Sequence, residues 1–128
     1  DMSLEDPETG ESLADSLFNF PGYAFLLVAP DLKKASDKNM DRINAIADYS
    51  MQNGILFIGG TSSSAESIDE FRHKHQNMFR FYFNDEKALK TILRSNPGLV
   101  LLKDGIVKGK WHYNDIPTLE KMRTEYLQ

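Results

Sequence analysis

Residues 99–102 (LVLL) and 106–111 (IVKGKW) stand on either side of Asp104-Gly105, and no other feature of this 128-residue chain narrows its fold so far. An Asp-Gly pair tolerates the positive φ angles of a type I′ turn, so the two runs are expected as antiparallel neighbours in one sheet. Immediately upstream, Ser95-Asn96-Pro97-Gly98 breaks whatever helix precedes it. Proline also lowers the penalty for a cis peptide to below about 1 kcal/mol, which makes Asn96-Pro97 the bond to inspect.

The rest of the chain supplies elements for that hairpin to join. Residues 23–29 (YAFLLVA) form a continuous apolar run of strand length, as expected of a central strand covered on both faces. Asp37 to Asn39 offer N-caps for a helix in which Met40, Ile43, Ala47 and Met51 recur at helical spacing, and Asn53-Gly54 supplies its stop. Residues 55–58 read as a second strand. Gly59-Gly60-Thr61-Ser62-Ser63-Ser64 then reads as a loop, with Ser63 and Glu66 forming a capping box for a helix that carries Ile68 and Phe71. Residues 78–83 alternate as a strand does, and Asn84-Asp85 can cap a short helix through Ala88, Leu89, Ile92 and Leu93. Asp115 is expected to cap a final helix, with Pro117 in its first turn and Leu119, Met122 and Tyr126 on one face. At the other end, MSLEDPETGESL (residues 2–13) places two short alternating pieces around a Pro- and Gly-containing turn, a small hairpin.

Bulk properties exclude several classes. Apolar residues make up 41% and charged residues 27%, ordinary for one globular domain, and no apolar run approaches the length that crosses a bilayer. A net charge of -4 without a basic stripe argues against nucleic acid as a partner. The chain contains no cysteine, so it has neither a disulfide framework nor a thiolate.

The order strand, helix, strand, helix, strand, helix, strand, strand, helix, with Asn96-Pro97 ahead of the closing hairpin, resembles the thioredoxin-like superfamily, most closely its TlpA-like and peroxiredoxin-like branch. The resemblance implies an α/β fold: a three-layer α/β/α sandwich around a mixed central sheet, preceded by an N-terminal β-hairpin. On that basis the chain is expected to be one domain over residues 1–128, with 1–20 as the hairpin extension and 21–128 as the core. A narrower similarity joins FLLVAPDLKKAS and LKTILRSNPGLVLLKDGIVKGKW to the soluble C-terminal region of DoxX-family membrane proteins of Bacteroidetes. It implies a piece excised from a longer membrane protein, attached to transmembrane helices and extracytoplasmic (periplasmic) in location.

Redox members of the superfamily carry Cys-x-x-Cys after the first core strand, at the start of the first long helix. The corresponding stretch here, Pro30-Asp31-Leu32-Lys33-Lys34-Ala35-Ser36, holds none. Ser36 as a substitute nucleophile would need a base, and its neighbours are Lys33, Lys34 and Asp37; a loop or cap serine is the better reading. In the superfamily the residue before the loop proline pairs its backbone with an extended peptide, and the resemblance gives that place to Asn96. The expected binding residues are therefore Pro30, Asp31, Leu32, Ser95, Asn96, Pro97 and Gly98, within a vacated redox face formed by residues 29–34 and 96–98.

Other candidates weigh less. His73 and His75 are two apart, so on a helix they point to nearly opposite sides, whereas paired metal ligands want i, i+3 or i, i+4. GGTSSS ahead of a helix could hold an anion but lacks the lysine of a phosphate-binding loop. Asp31, Asp37, Asp41, Asp69, Glu70, Asp85, Glu86, Asp104 and Asp115 read mostly as caps, turns and exposed faces, and Trp111, Phe25, Phe57, Phe81 and Phe83 as core. The expectation is a redox-inactive binding or assembly module with no catalytic residue, cofactor or metal, whose partner is a protein or peptide or the transmembrane part of its own chain. The alternatives are a noncysteine enzyme using polar groups of the same cleft, and a regulatory domain of its membrane partner.

Overall fold

The computed structural model describes residues 4, 5 and 14–128. In chain order these form α1 (Ala14–Asn19), β1 (Tyr23–Val28), α2 (Met40–Gln52), β2 (Leu56–Thr61), α3 (Ala65–His75), β3 (Arg80–Phe83), α4 (Glu86–Ile92), β4 (Gly98–Lys103), β5 (Ile106–His112), a 3-10 turn (Tyr113–Asp115) and α5 (Leu119–Glu125). The sheet runs β3-β2-β1-β4-β5, parallel across β3, β2 and β1 and antiparallel across β1, β4 and β5.

Strand β1 is central, and its unbroken apolar sequence follows from that position. Phe25 and Leu27 face a core shared with Ile43 and Ile46 of α2, Phe71 of α3 and Met122 of α5. Ala24, Leu26 and Val28 face the opposite core, with Leu17 of α1 and Leu89 of α4. Side chains that alternate at period two therefore bury a sheet on both faces, which yields three layers. Each large side chain so buried contributes about 1.5–3 kcal/mol. The β4–β5 hairpin closes through Asp104 at φ 51° and Gly105 at φ 80°. Lys108 has no partner in the register, where Leu101 faces Gly109 and Leu102 faces Val107.

Several local expectations are corrected. Strand β2 continues through Gly59, Gly60 and Thr61, which the sequence suggested as loop. The reason is a close approach: a Cβ on Gly59 would lie 2.4 Å from Cδ2 of Phe81, its partner across β2 and β3. Helix α3 is capped by Ser64, whose side chain accepts from the Ser67 N–H, and not by Ser63. Thr118, not Asp115, caps α5, accepting from the Lys121 N–H. Asn39 enters α2 in the left-handed region at φ 62° without a side-chain cap, and its amide donates instead to the Tyr113 carbonyl at 2.9 Å.

The expected hairpin over residues 2–13 lies largely outside the described residues. Leu4 is fully buried against the α4 side of the sheet, and Glu5 makes one antiparallel bridge to Phe83. The 1–20 extension ends in helix α1 and not in a strand. Among the described residues no helix is long and apolar enough to cross a membrane.

Candidate binding cleft

The stretch between β1 and α2 is where the superfamily resemblance places its chemistry. Helix α2 begins only at Met40, so residues 31–39 are turns and irregular backbone. They are held by a dense set of hydrogen bonds. The Pro30 carbonyl accepts from the Ser62 N–H at 3.0 Å, the Ser62 hydroxyl at 2.6 Å and the Thr61 hydroxyl at 3.3 Å. The Leu32 N–H donates to Ser63 Oγ at 3.0 Å, and the Asp31 carboxylate accepts from the Lys33 N–H at 3.1 Å. Two amides of the GGTSSS stretch are bonded within it or to Pro30: the Ser62 N–H as above, and the Ser63 N–H, which donates to Thr61 Oγ1 at 3.2 Å.

The proline loop is tied to this stretch from the other side. The Asn96-Pro97 peptide is cis. The Asn96 carbonyl accepts from the Ser36 N–H at 2.9 Å, and the Asn96 side-chain amide donates to the Asp31 carbonyl at 2.8 Å. Asn96 Oδ1 is buried without a partner among the described residues. Ser95 Oγ accepts from the Tyr113 N–H at 3.2 Å and donates to the Pro97 carbonyl. Gly98 is packed so tightly that a Cβ would lie 2.3 Å from Leu93 Cδ2.

Of the seven residues expected to bind, Pro30, Leu32, Ser95, Pro97 and Gly98 are buried, and only Asp31 and Asn96 keep part of their surface. The first five shape and brace the site. Asn96, whose backbone was expected to pair with an incoming peptide, already accepts one bond at its carbonyl from the Ser36 N–H. Ser36 in turn uses its hydroxyl to accept from the Lys38 N–H at 3.2 Å, a local turn bond.

What remains open is a cleft of about 440 Å³ lined by Pro30, Asp31, Lys34, Glu86, Lys90, Arg94, Ser95, Asn96 and His112. The resemblance led to Pro30, Asp31, Lys34, Ser95 and Asn96; it did not lead to Lys90, Arg94 or His112. Lys87, Lys90 and Arg94 do carry a readable signal, since they recur at three- and four-residue steps opposite the buried Leu89. Lys90 pairs with Glu86 at 3.0 Å. His112 accepts from the Asn114 N–H through Nδ1 at 3.2 Å, so a neutral ring carries its proton on Nε2.

Among the described residues no group of three or more His, Cys, Asp or Glu is placed to hold a metal ion. His73 is exposed, whereas the His75 ring lies 4.4 Å from that of Phe71 in a separate cavity. Partial burial lowers the His75 pKa below its ordinary value, Lys74 lowers it further, and Asp37 opposes both. Phe25, Phe57 and Phe81 are core, Trp111 packs edge-on against Tyr126 at 5.0 Å, and Phe83 is partly exposed.

The sequence matches no protein-family model and no curated protein. Solved structures match over nearly the whole chain. A thiol:disulfide interchange protein from Bacteroides sp. superposes with a TM-score of 0.72 at 12% identity, covering 98% of this chain and 85% of that one. The thioredoxin domain of a thiol-disulfide oxidoreductase from Bacteroides vulgatus gives 0.71 at 13% identity, with 98% and 92% covered. A thiol-disulfide oxidoreductase from Bacteroides fragilis gives 0.66 at 16%, with 84% and 85% covered. The fold is thus thioredoxin-like, a mixed five-stranded sheet between helical layers. This chain builds it without a single cysteine, and thiol–disulfide exchange has no nucleophile within it.

Proposed function

We propose that this domain is a redox-inactive binding or assembly module whose recognition site is the cleft between the residue 30–34 turn and the face of α4. The observation that carries the reading is that the Pro30, Asp31 and Asn96 carbonyls are bonded within the protein, yet beside them an open cleft retains Asp31, Lys34, Lys90, Arg94 and Asn96. Recognition there is by side chains at the cleft wall. An extended peptide pairing with the Asn96 carbonyl would share that oxygen with the Ser36 N–H.

An enzyme at the same place finds less support. The Ser95 hydroxyl has both partners inside the protein, and the Ser36 hydroxyl caps its own turn. Neither is presented to a base in the way nucleophilic catalysis requires.

The similarity of FLLVAPDLKKAS and LKTILRSNPGLVLLKDGIVKGKW to the region attached to DoxX-family membrane proteins supports a role as an extracytoplasmic appendage of such a protein. Its partner is then the transmembrane part of its own chain or a protein held next to it. A photo-crosslinking amino acid at position 34, compared with one at position 121 on α5, tests this in the intact protein in its membrane. Adducts are expected from position 34 and not from 121. Equal yields at both, or none at 34, would overturn the assignment of the cleft.

A further inference from the structure

The cleft lined by Asp31, Lys34 and Asn96 does not end at α4. A second cavity of about 600 Å³, lined by Glu86, Lys87, Lys90, Thr91 and Arg94, shares Glu86, Lys90 and Arg94 with the first, so the two form one groove. Its charge is opposite to that of the whole molecule. Lys34, Lys87, Lys90 and Arg94 stand against Asp31 and Glu86, four cations to two carboxylates, on a chain whose net charge is -4.

Three of those cations are uncommitted. Among the described residues Lys90 has Glu86, whereas the side chains of Lys34, Lys87 and Arg94 have no hydrogen-bond or ion-pair partner. A guanidinium presents a planar fork that matches a carboxylate with two parallel bonds, and each ammonium supplies a point charge. The exposed Lys90–Glu86 pair is weak enough to yield to a ligand carboxylate. Asp31 and Glu86 punctuate the groove with negative charge, and Asn96 lies at its inner end. A uniformly charged lipid surface is a poor match for a concave site of mixed sign, and a long polyanion would meet the net negative charge of the protein.

We infer that the groove takes an acidic polypeptide segment, whose side-chain carboxylates are received by Lys34, Arg94 and the α4 lysines. This rests on the binding-module reading above and names the chemistry of its partner.

The test is fluorescence anisotropy with a dye-labelled peptide alternating Asp and Glu with Ser and Gly, against the same peptide with Asn and Gln in place of the acids. The acidic peptide should bind at low salt, at least tenfold tighter than its amide counterpart. The double variant Lys34→Glu/Arg94→Glu should weaken it by roughly tenfold, the loss expected of two exposed ion pairs. Both side chains are exposed, so unchanged circular dichroism and melting should confirm that the fold is intact. Lys108→Glu/Lys121→Glu, which makes the same change in net charge away from the groove, should cost less than about twofold, as expected of screened distant charges.

Equal loss in the two double variants would reduce the effect to general attraction and overturn the inference. Tighter capture of phosphatidylglycerol vesicles than of the peptide would overturn it in favour of a membrane. If both peptides bind alike while position 34 still crosslinks, the acidic partner falls and the binding cleft stands. If neither binds and position 34 gives no adduct, both fall.

Discussion

Replacing Ser95 with alanine probes how the proline loop is held, because one hydroxyl there serves two backbone groups. Ser95 is 9% exposed, accepts from the Tyr113 N–H at 3.2 Å and donates to the buried Pro97 carbonyl. A buried polar group left without its partner costs about 1–3 kcal/mol. Tyr113 is only half-buried and recovers some of its bond from water, which places it near the low end. Together the two losses come to about 2–4 kcal/mol. With an unfolding entropy of about 2.1 cal/mol/K per residue over 128 residues, Tm should fall by roughly 7–15 °C. Urea unfolding should show a lower midpoint with an unchanged slope, since the change touches contacts and not the surface exposed on unfolding. Ser36→Ala, whose hydroxyl only accepts from the nearby exposed Lys38 N–H, is the matched control and should lie within about 0.5 kcal/mol of wild type. A Ser95→Ala protein melting within about 2 °C of wild type would refute the argument, showing that water replaces both bonds.

Two further outcomes follow from the packing of Gly59 and from the partly buried ring of His75. Gly59→Ala should destabilise by about 1–3 kcal/mol, because its new methyl overlaps the Phe81 ring unless that ring moves; a melting curve that coincides with wild type would show that the β2–β3 contact is loose. His75 has a folded-state pKa below 6.5, so the unfolded chain binds its proton more readily. The stability from the neutral ring is complete above that value and is lost as pH falls through the lower folded-state pKa. His75→Gln should therefore flatten the decline in urea midpoint between neutral and mildly acidic pH, and an unaltered slope would sink the reasoning.

Much of the sheet is legible in the sequence because its signals are local. The Asp104-Gly105 turn needs only two residues to declare a hairpin, and YAFLLVA announces a strand covered on both faces. Gly59 and Gly60 misled for the opposite reason: glycine in a strand carries no pattern of its own, and its purpose is visible only beside Phe81. In the Ser62-Ser63-Ser64 run any hydroxyl could cap α3, and the choice of Ser64 depends on Ser63 being drawn to Leu32, a residue far away in the chain. Thr118 displaced Asp115 once residues 113–115 turned into a 3-10 segment. The site divides along the same line. The resemblance led to residues 29–34 and 96–98 with Ser95, and what it could not tell is that Leu32, Ser95, Pro97 and Gly98 are buried there. Nothing in the sequence between Glu86 and Arg94 announces that those side chains face the residue 30–34 turn.

The late start of α2 has a consequence for attempts at reactivation. Cysteines introduced in place of Lys33 and Ser36 would recreate the Cys-x-x-Cys spacing but not its setting, because no helix begins there to point its amide N–H groups at a thiolate. Without that help, and with residues 31–36 stitched to Ser63 and Asn96, a new thiol should titrate nearer the ordinary value of about 8.5 than those of helix-capped redox cysteines. The chain lacks both the cysteines and a helix start at residues 33–36, so two mutations should be too few to make it a reductase.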